Sequence, residues 1–150
     1  MRNKRILFVC TGNTCRSPMA EVVLKKKFKT AGMKGITVSS AGLAANDGEP
    51  MSKNSRLALK KAGYRPNANF KAKSVTKEML NKTDMVLCMT KRHKEYLSSF
   101  SNVHTLAEAT GTIDVIDPYG QGLEIYEQTL HQIEKACDVI IEEIIKVKGE

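Results

Sequence analysis

Residues 10–17 read CTGNTCRS, so Cys10 and Arg16 flank five residues, a glycine among them. The stretch follows a short apolar run and leads into Ser17-Pro18, a pair suited to starting a helix. A glycine-containing turn from strand to helix aims several backbone N–H groups at one point, at the positive end of a helix dipole. That arrangement is a cradle for an anion. The Gly-Lys-Ser/Thr ending of an ATP-binding loop is absent. A cysteine at the base of the cradle shares the field meant for the anion, and its ordinary pKa of about 8.5 should fall toward thiolate at neutral pH. Arg16 can hold two phosphate oxygens in its planar fork. A thiolate beneath a bound phosphoryl group is placed for in-line attack at phosphorus, with N–H groups and guanidinium stabilising the equatorial oxygens.

Such a transfer also needs an acid for the leaving group. The stretch DVIDPYG, residues 114–120, offers Asp117 ahead of a proline and just before a long helix. An Asp-Pro pair alone reads as a turn; beside the Cys-x5-Arg loop it becomes the candidate acid. The competing reading makes Cys10 and Cys15 structural, or two ligands of a metal. Only His93, His104, His131, Cys88 and Cys137 could complete a zinc site, and none shows paired ligand spacing, so no metal is expected. Cys15 itself has two readings. It either resolves an oxidised Cys10 as a disulfide or fills space behind the loop.

The elements that must hold these residues alternate in type. A buried strand is expected over 5–10, then a helix with Ala20, Val23, Leu24, Phe28 and Ala31 on one face, ending near Gly32. A second strand covers 36–42, a helix 51–63, and a short helix capped by Thr76 reaches Lys82. A third strand lies at 85–89, a helix capped by Thr90 runs to about Phe100, and NVHTL is a weak fourth strand. Leu123, Tyr126, Leu130, Ile133, Cys137, Ile140, Ile144 and Val147 then recur three and four residues apart. That stripe fits a coiled-coil seam or a single helix laid across a sheet, and the size of the chain favours the sheet. Cys137 and Cys88 read as core packing. The pattern gives an α/β fold in three layers, a four-stranded parallel sheet with helices on both faces and the anion loop after the first strand. Ligands of such sheets sit beyond the carboxyl ends of the strands, where CTGNTCRS lies.

Length and composition agree with one ordinary globular domain over residues 1–150. No apolar run approaches a membrane span, and the apolar part of MRNKRILFVC is too short for a signal peptide. Four cysteines without a regular framework suit a reducing cytoplasm. Residues 1–100 hold 21 Lys and Arg against 6 Asp and Glu, whereas residues 101–150 hold 3 against 10. The basic majority would attract anionic partners. Nucleic acid is not expected as a partner, because aromatics are few and finger spacings are missing. Phosphorylated protein remains, and oligomeric state is left open.

With VCTGNTCRSPMAE near the amino end and DPYG near the carboxyl end, the chain resembles the low-molecular-weight protein tyrosine phosphatases over nearly its whole length. The resemblance implies Cys10 as nucleophile, Arg16 as phosphate clamp and Asp117 as general acid. It implies phosphate held by the loop of Thr11, Gly12, Asn13, Thr14 and Cys15 with Arg16. Asn13 would keep the loop in a left-handed conformation, Ser17 would donate to the Cys10 thiolate, and Ser40 would brace Asn13. No metal or organic cofactor is implied. Tyrosine-specific members usually carry isoleucine where Thr14 stands and adjacent aromatics beside the acid, whereas Tyr119 is the sole aromatic in that loop here. The threonine-containing loop looks like the bacterial protein arginine phosphatases, which makes Thr14 and Tyr119 the candidate specificity residues. The expected activity is hydrolysis of phosphoarginine in proteins through a phosphocysteine. The alternatives are a tyrosine phosphatase of the same fold, an arsenate reductase, for which Cys88 lacks a nearby partner cysteine, and a silent phosphate-binding module.

Overall fold

The computed structural model describes residues 4–149, so the expected domain of residues 1–150 extends past the described residues at both ends. The elements are β1 (Lys4–Cys10), α1 (Arg16–Thr30), β2 (Ile36–Gly42), α2 (Lys53–Lys61) and α3 (Lys77–Lys82). They continue with β3 (Met85–Cys88), α4 (Lys91–Tyr96), β4 (Val103–Thr105), α5 (Leu106–Thr110) and α6 (Leu123–Gly149). The four strands form one sheet in the order β2-β1-β3-β4, and every neighbouring pair is parallel.

The central strand β1 is buried on both faces, which is why it reads as an unbroken apolar run rather than an alternation. Its residues still divide by parity. Ile6, Phe8 and Cys10 join a core with Val23, Leu24, Leu59, Leu106 and the α6 stripe. Leu7 and Val9 join a smaller one with Leu80, Val86, Cys88 and Leu97. Helices α1, α2, α5 and α6 therefore cover one face and α3 and α4 the other, the expected three layers. Cys137 and Cys88 are fully buried, one in each core.

Several boundaries differ from the sequence reading, each for a local reason. α1 starts at Arg16 with Cys15 as its N-cap, and no side chain caps it. Ser17 is therefore inside the helix, because its hydroxyl is engaged elsewhere, as described below. α1 and α2 both close on a Schellman turn, with Gly32 and Gly63 left-handed (φ 68° and 91°) and Met33 and Tyr64 N–H bonding back to Phe28 and Leu59. α4 stops at Tyr96, short of Phe100. The fourth strand ends at Thr105, whose hydroxyl forms a capping box with Glu108 and opens α5, a helix that the residue pattern did not indicate. The α6 stripe lies on α1 and α2 as a sheet-covering helix, but it outruns the core. Ile133 and Cys137 are fully buried, whereas Val147 is 71% exposed. Ala31, expected on the buried face of α1, is its exposed C-cap.

Candidate active site

Everything expected to do chemistry gathers at the carboxyl end of β1. Cys10 is its last residue, residues 11–15 make the turn, and Arg16 is the first residue of α1. The turn is possible because Asn13 takes φ 56°, the only positive value among the described non-glycine residues. Its amide then works in three directions. Nδ2 donates to Ser17 Oγ at 2.8 Å and to Ser40 Oγ at 3.0 Å, and Oδ1 accepts from the Lys73 N–H at 3.0 Å. Ser40 Oγ donates a hydrogen bond to Glu21 Oε1 at 2.7 Å. Ser17 Oγ lies 2.8 Å from Cys10 Sγ. Since Ser17 Oγ already accepts from Asn13, its own proton is available to the sulfur. The result is a chain of hydrogen bonds that runs outward from the Asn13 amide, one arm through Ser17 to Cys10 and the other through Ser40 to Glu21.

Burial pushes the Cys10 thiol up from its ordinary value. Against it act the Ser17 hydroxyl, the backbone N–H groups of Ser17 and Asn13, and the charge of Arg16. Sequence reasoning expected the pKa to fall, because it could not weigh the burial of a cysteine that is only 3% exposed.

Arg16 is 5% exposed. Its Nη1 donates to the Val115 carbonyl at 3.3 Å, and its Nη2 lies 3.7 Å from Asp117 Oδ2. The Asp-Pro loop thus faces the anion loop with the candidate acid on its exposed side. Asp117 Oδ1 accepts the Tyr119 N–H at 3.1 Å, a local turn that fixes the carboxylate, and Pro118 is buried behind it. The Tyr119 side chain stands out from the loop at 77% exposure. Thr14 is half-buried, and its carbonyl accepts the N–H of Ser52 at 2.9 Å. Cys15 points away into the body of the protein, with Sγ 3.4 Å from Tyr126 Oη and 3.5 Å from Ser52 Oγ. All four cysteines are free thiols.

Four supporting residues escaped the sequence reading. A Cβ on Gly42 would lie 2.5 Å from the Thr11 carbonyl oxygen and 3.0 Å from the Asn13 nitrogen, so β2 ends where the loop backbone needs the space. Glu21 closes the Ser40 end of the hydrogen-bond chain, Tyr126 contacts Cys15, and His93 reaches Thr11. Gly42 ends the stretch ITVSSAG, and Glu21 ends VCTGNTCRSPMAE, but nothing in their spacing pairs them with the loop. His93 and Tyr126 are brought to it only by the tertiary fold.

Residues 5–149 match the family model described as low molecular weight phosphotyrosine protein phosphatase. The chain is 36% identical over 149 residues to a protein-arginine-phosphatase of Bacillus subtilis, with 94% of this chain and 97% of that one covered. It is 38% identical over 134 residues to the low molecular weight protein-tyrosine-phosphatase PtpB of Staphylococcus haemolyticus, covering 86% and 91%. The crystal structure of a low molecular weight protein tyrosine phosphatase from T. tengcongensis superposes with a TM-score of 0.89 at 40% identity, covering 94% of this chain and 99% of that one. Among the described residues, no helix is long and apolar enough to cross a membrane.

Proposed function

The chain belongs to the low molecular weight phosphotyrosine protein phosphatase family and is a protein phosphatase; we propose that it hydrolyses phosphoarginine in proteins through a phosphocysteine. The observation that carries this reading is the hydrogen-bond chain that terminates on Cys10 inside the loop, with Arg16 and Asp117 opposite. A hydroxyl that donates a hydrogen bond to sulfur stabilises the thiolate. The partial positive charge at the start of α1 acts in the same sense. We set these, with Arg16, above the cost of burial, so the nucleophile is the Cys10 thiolate.

In the reaction a phosphoryl oxygen pair binds Arg16, and the remaining equatorial oxygen meets the N–H groups of residues 11–15. The Cys10 sulfur attacks phosphorus as the P–N bond breaks, and Asp117 gives its proton to the departing guanidine nitrogen. Water then attacks the phosphocysteine. Asp117 takes the water's proton, the S–P bond breaks, and the thiolate returns with release of inorganic phosphate. The side chains of Asn13, Ser17 and Ser40 shape the loop and tune the sulfur rather than touch the substrate.

The choice of arginine rests on the rim. Thr14 presents a hydroxyl, which can accept a guanidinium N–H where a branched alkyl group would leave it unpartnered. The comparisons include relatives named for either substrate at similar identity. Phosphotyrosine is the second reading, favoured by the exposed Tyr119 ring, which could lie against a phenyl group. Rates of phosphate release from matched phosphoarginine and phosphotyrosine peptides separate the two, and a preference for phosphotyrosine would replace the arginine reading. The free state of all four cysteines suits a cytoplasmic location.

A further inference from the structure

His93 is buried and has no role in the chemistry above. It sits in the first turn of α4, and both of its ring nitrogens are engaged. Nδ1 lies 3.1 Å from Thr90 Oγ1, and Nε2 lies 2.9 Å from Thr11 Oγ1. Thr90 Oγ1 also accepts the backbone N–H of His93 at 3.3 Å. An oxygen that already accepts one N–H has its own proton to give, and Nδ1 is the partner in reach. The ring proton then resides on Nε2 and goes to Thr11 Oγ1. The hydroxyl proton of Thr11, the first residue of the anion loop, is left free for an oxygen of the bound phosphoryl group.

The same turn also grips the acid loop. The Met89 N–H donates to the Val9 carbonyl and the Met89 carbonyl accepts the Val115 N–H, at 2.9 and 3.0 Å. The Lys91 N–H donates to Asp114 Oδ2 at 3.1 Å. Residues 89–93 therefore touch the nucleophile's strand, the anion loop and the loop of the acid. We propose that His93 is a positioning residue that acts through Thr11, fixing the anion loop in register with the acid loop and turning the Thr11 hydroxyl toward the substrate. Burial and the nearby Arg16 hold the imidazole neutral, lowering its pKa to about 4, so Nδ1 stays an acceptor across the working range.

The inference rests on the phosphatase reading, and its test keeps the two apart, since a wild-type protein that turns over no phosphorylated substrate sinks the reading itself. His93→Phe keeps bulk but removes both ring bonds, whereas His93→Gln can keep an amide donor near the place of Nε2. With wild type active, His93→Phe should lower kcat on phosphoarginine peptide or phenyl phosphate by about ten-fold or more. The loss on p-nitrophenyl phosphate, whose leaving group needs no proton, should be clearly smaller. His93→Gln should stay within about three-fold of wild type. Thr11→Val should reproduce the His93→Phe loss, and the double variant should be no worse than either single one. Equal losses on both kinds of substrate, additive losses with Thr11→Val, or no rescue by glutamine would each overturn the assignment. If His93→Phe does not fold, Thr11→Val alone decides, because wild-type rates in that variant leave His93 nothing to act through.

Discussion

Arg16 Nη2 lies 3.7 Å from Asp117 Oδ2, so the cation of the anion loop and the carboxylate of the facing loop are partners. An incoming phosphoryl dianion competes with Asp117 for that guanidinium. On the proposed mechanism, binding would free Asp117 from its partner at the step where a proton carrier is wanted.

Asp117→Asn should keep affinity for inorganic phosphate and lose catalysis selectively. For phosphoarginine, whose leaving group must depart protonated, kcat should fall by about 10²–10⁴-fold. For p-nitrophenyl phosphate the loss should stay within about ten-fold. Equal losses on the two substrates would remove Asp117 from the acid role.

Cys10→Ser should abolish turnover and retain phosphate binding, since the loop N–H groups and Arg16 survive the change. The wild-type sulfur supplies a second check. If the Ser17 hydroxyl, the loop N–H groups and Arg16 outweigh burial, the rate of alkylation of Cys10 by iodoacetamide should plateau below pH 7. A midpoint above about 8.5 would show that burial prevails.

Thr14→Ile should lower kcat/KM on phosphoarginine peptide by about ten-fold or more and raise it on phosphotyrosine peptide. The branched alkyl group leaves guanidinium N–H groups without an acceptor, at about 1–3 kcal/mol each, and offers apolar contact to a ring. An unchanged ratio of the two rates would clear Thr14 of any part in the choice.

Gly42→Ala should damage the site from behind. Its new Cβ meets the Thr11 carbonyl oxygen at 2.5 Å and the Asn13 nitrogen at 3.0 Å, and neither is a movable side-chain end. A destabilisation of about 1–3 kcal/mol by urea titration is expected, with kcat/KM at least about ten-fold down. Full activity in the variant would mean that the loop has slack its geometry does not show.

The buried His93 predicts a pH effect on stability. Its folded pKa, about 4, lies below the ordinary 6.5, so between these values the unfolded chain binds a proton that the folded one does not. Its contribution is complete above pH 6.5, is lost as pH falls toward 4, and levels off below that. The expected change is on the order of 2 kcal/mol. Urea unfolding at pH 7.5 and pH 5 should show the drop in wild type and a smaller one in His93→Gln. Identical drops would exonerate the histidine.

The sequence displayed the chemistry better than its supports. Cys10, Arg16 and the loop between them are contiguous, so their relation is local and legible, and the alternation of strands with helices made the layers legible too. Asp117 is about a hundred residues away, and only the presence of the loop turned an Asp-Pro turn into an acid. Ser17 looked like a helix cap because Ser-Pro usually is one; here its hydroxyl serves the sulfur, and α1 begins uncapped. His93, Gly42 and Tyr126 reach the loop only through the packing of β2, α4 and α6. No one-dimensional period records that. α5 was hidden because a five-residue helix depends on its capping box rather than on a periodic face.

Asn13, Ser40 and Glu21 complete their bonds without help, and no buried side-chain nitrogen or oxygen among the described residues lacks a partner. A loop whose side chains are already tied down loses little entropy when it fills, and it offers the same donors to any tetrahedral oxyanion. Sulfate, vanadate and the enzyme's own product should all lodge there as simple competitors, making the cell's free phosphate a standing brake on turnover. Discrimination among phosphorylated side chains must then be exercised at the entrance, by residues that mutation can exchange without disturbing the interior.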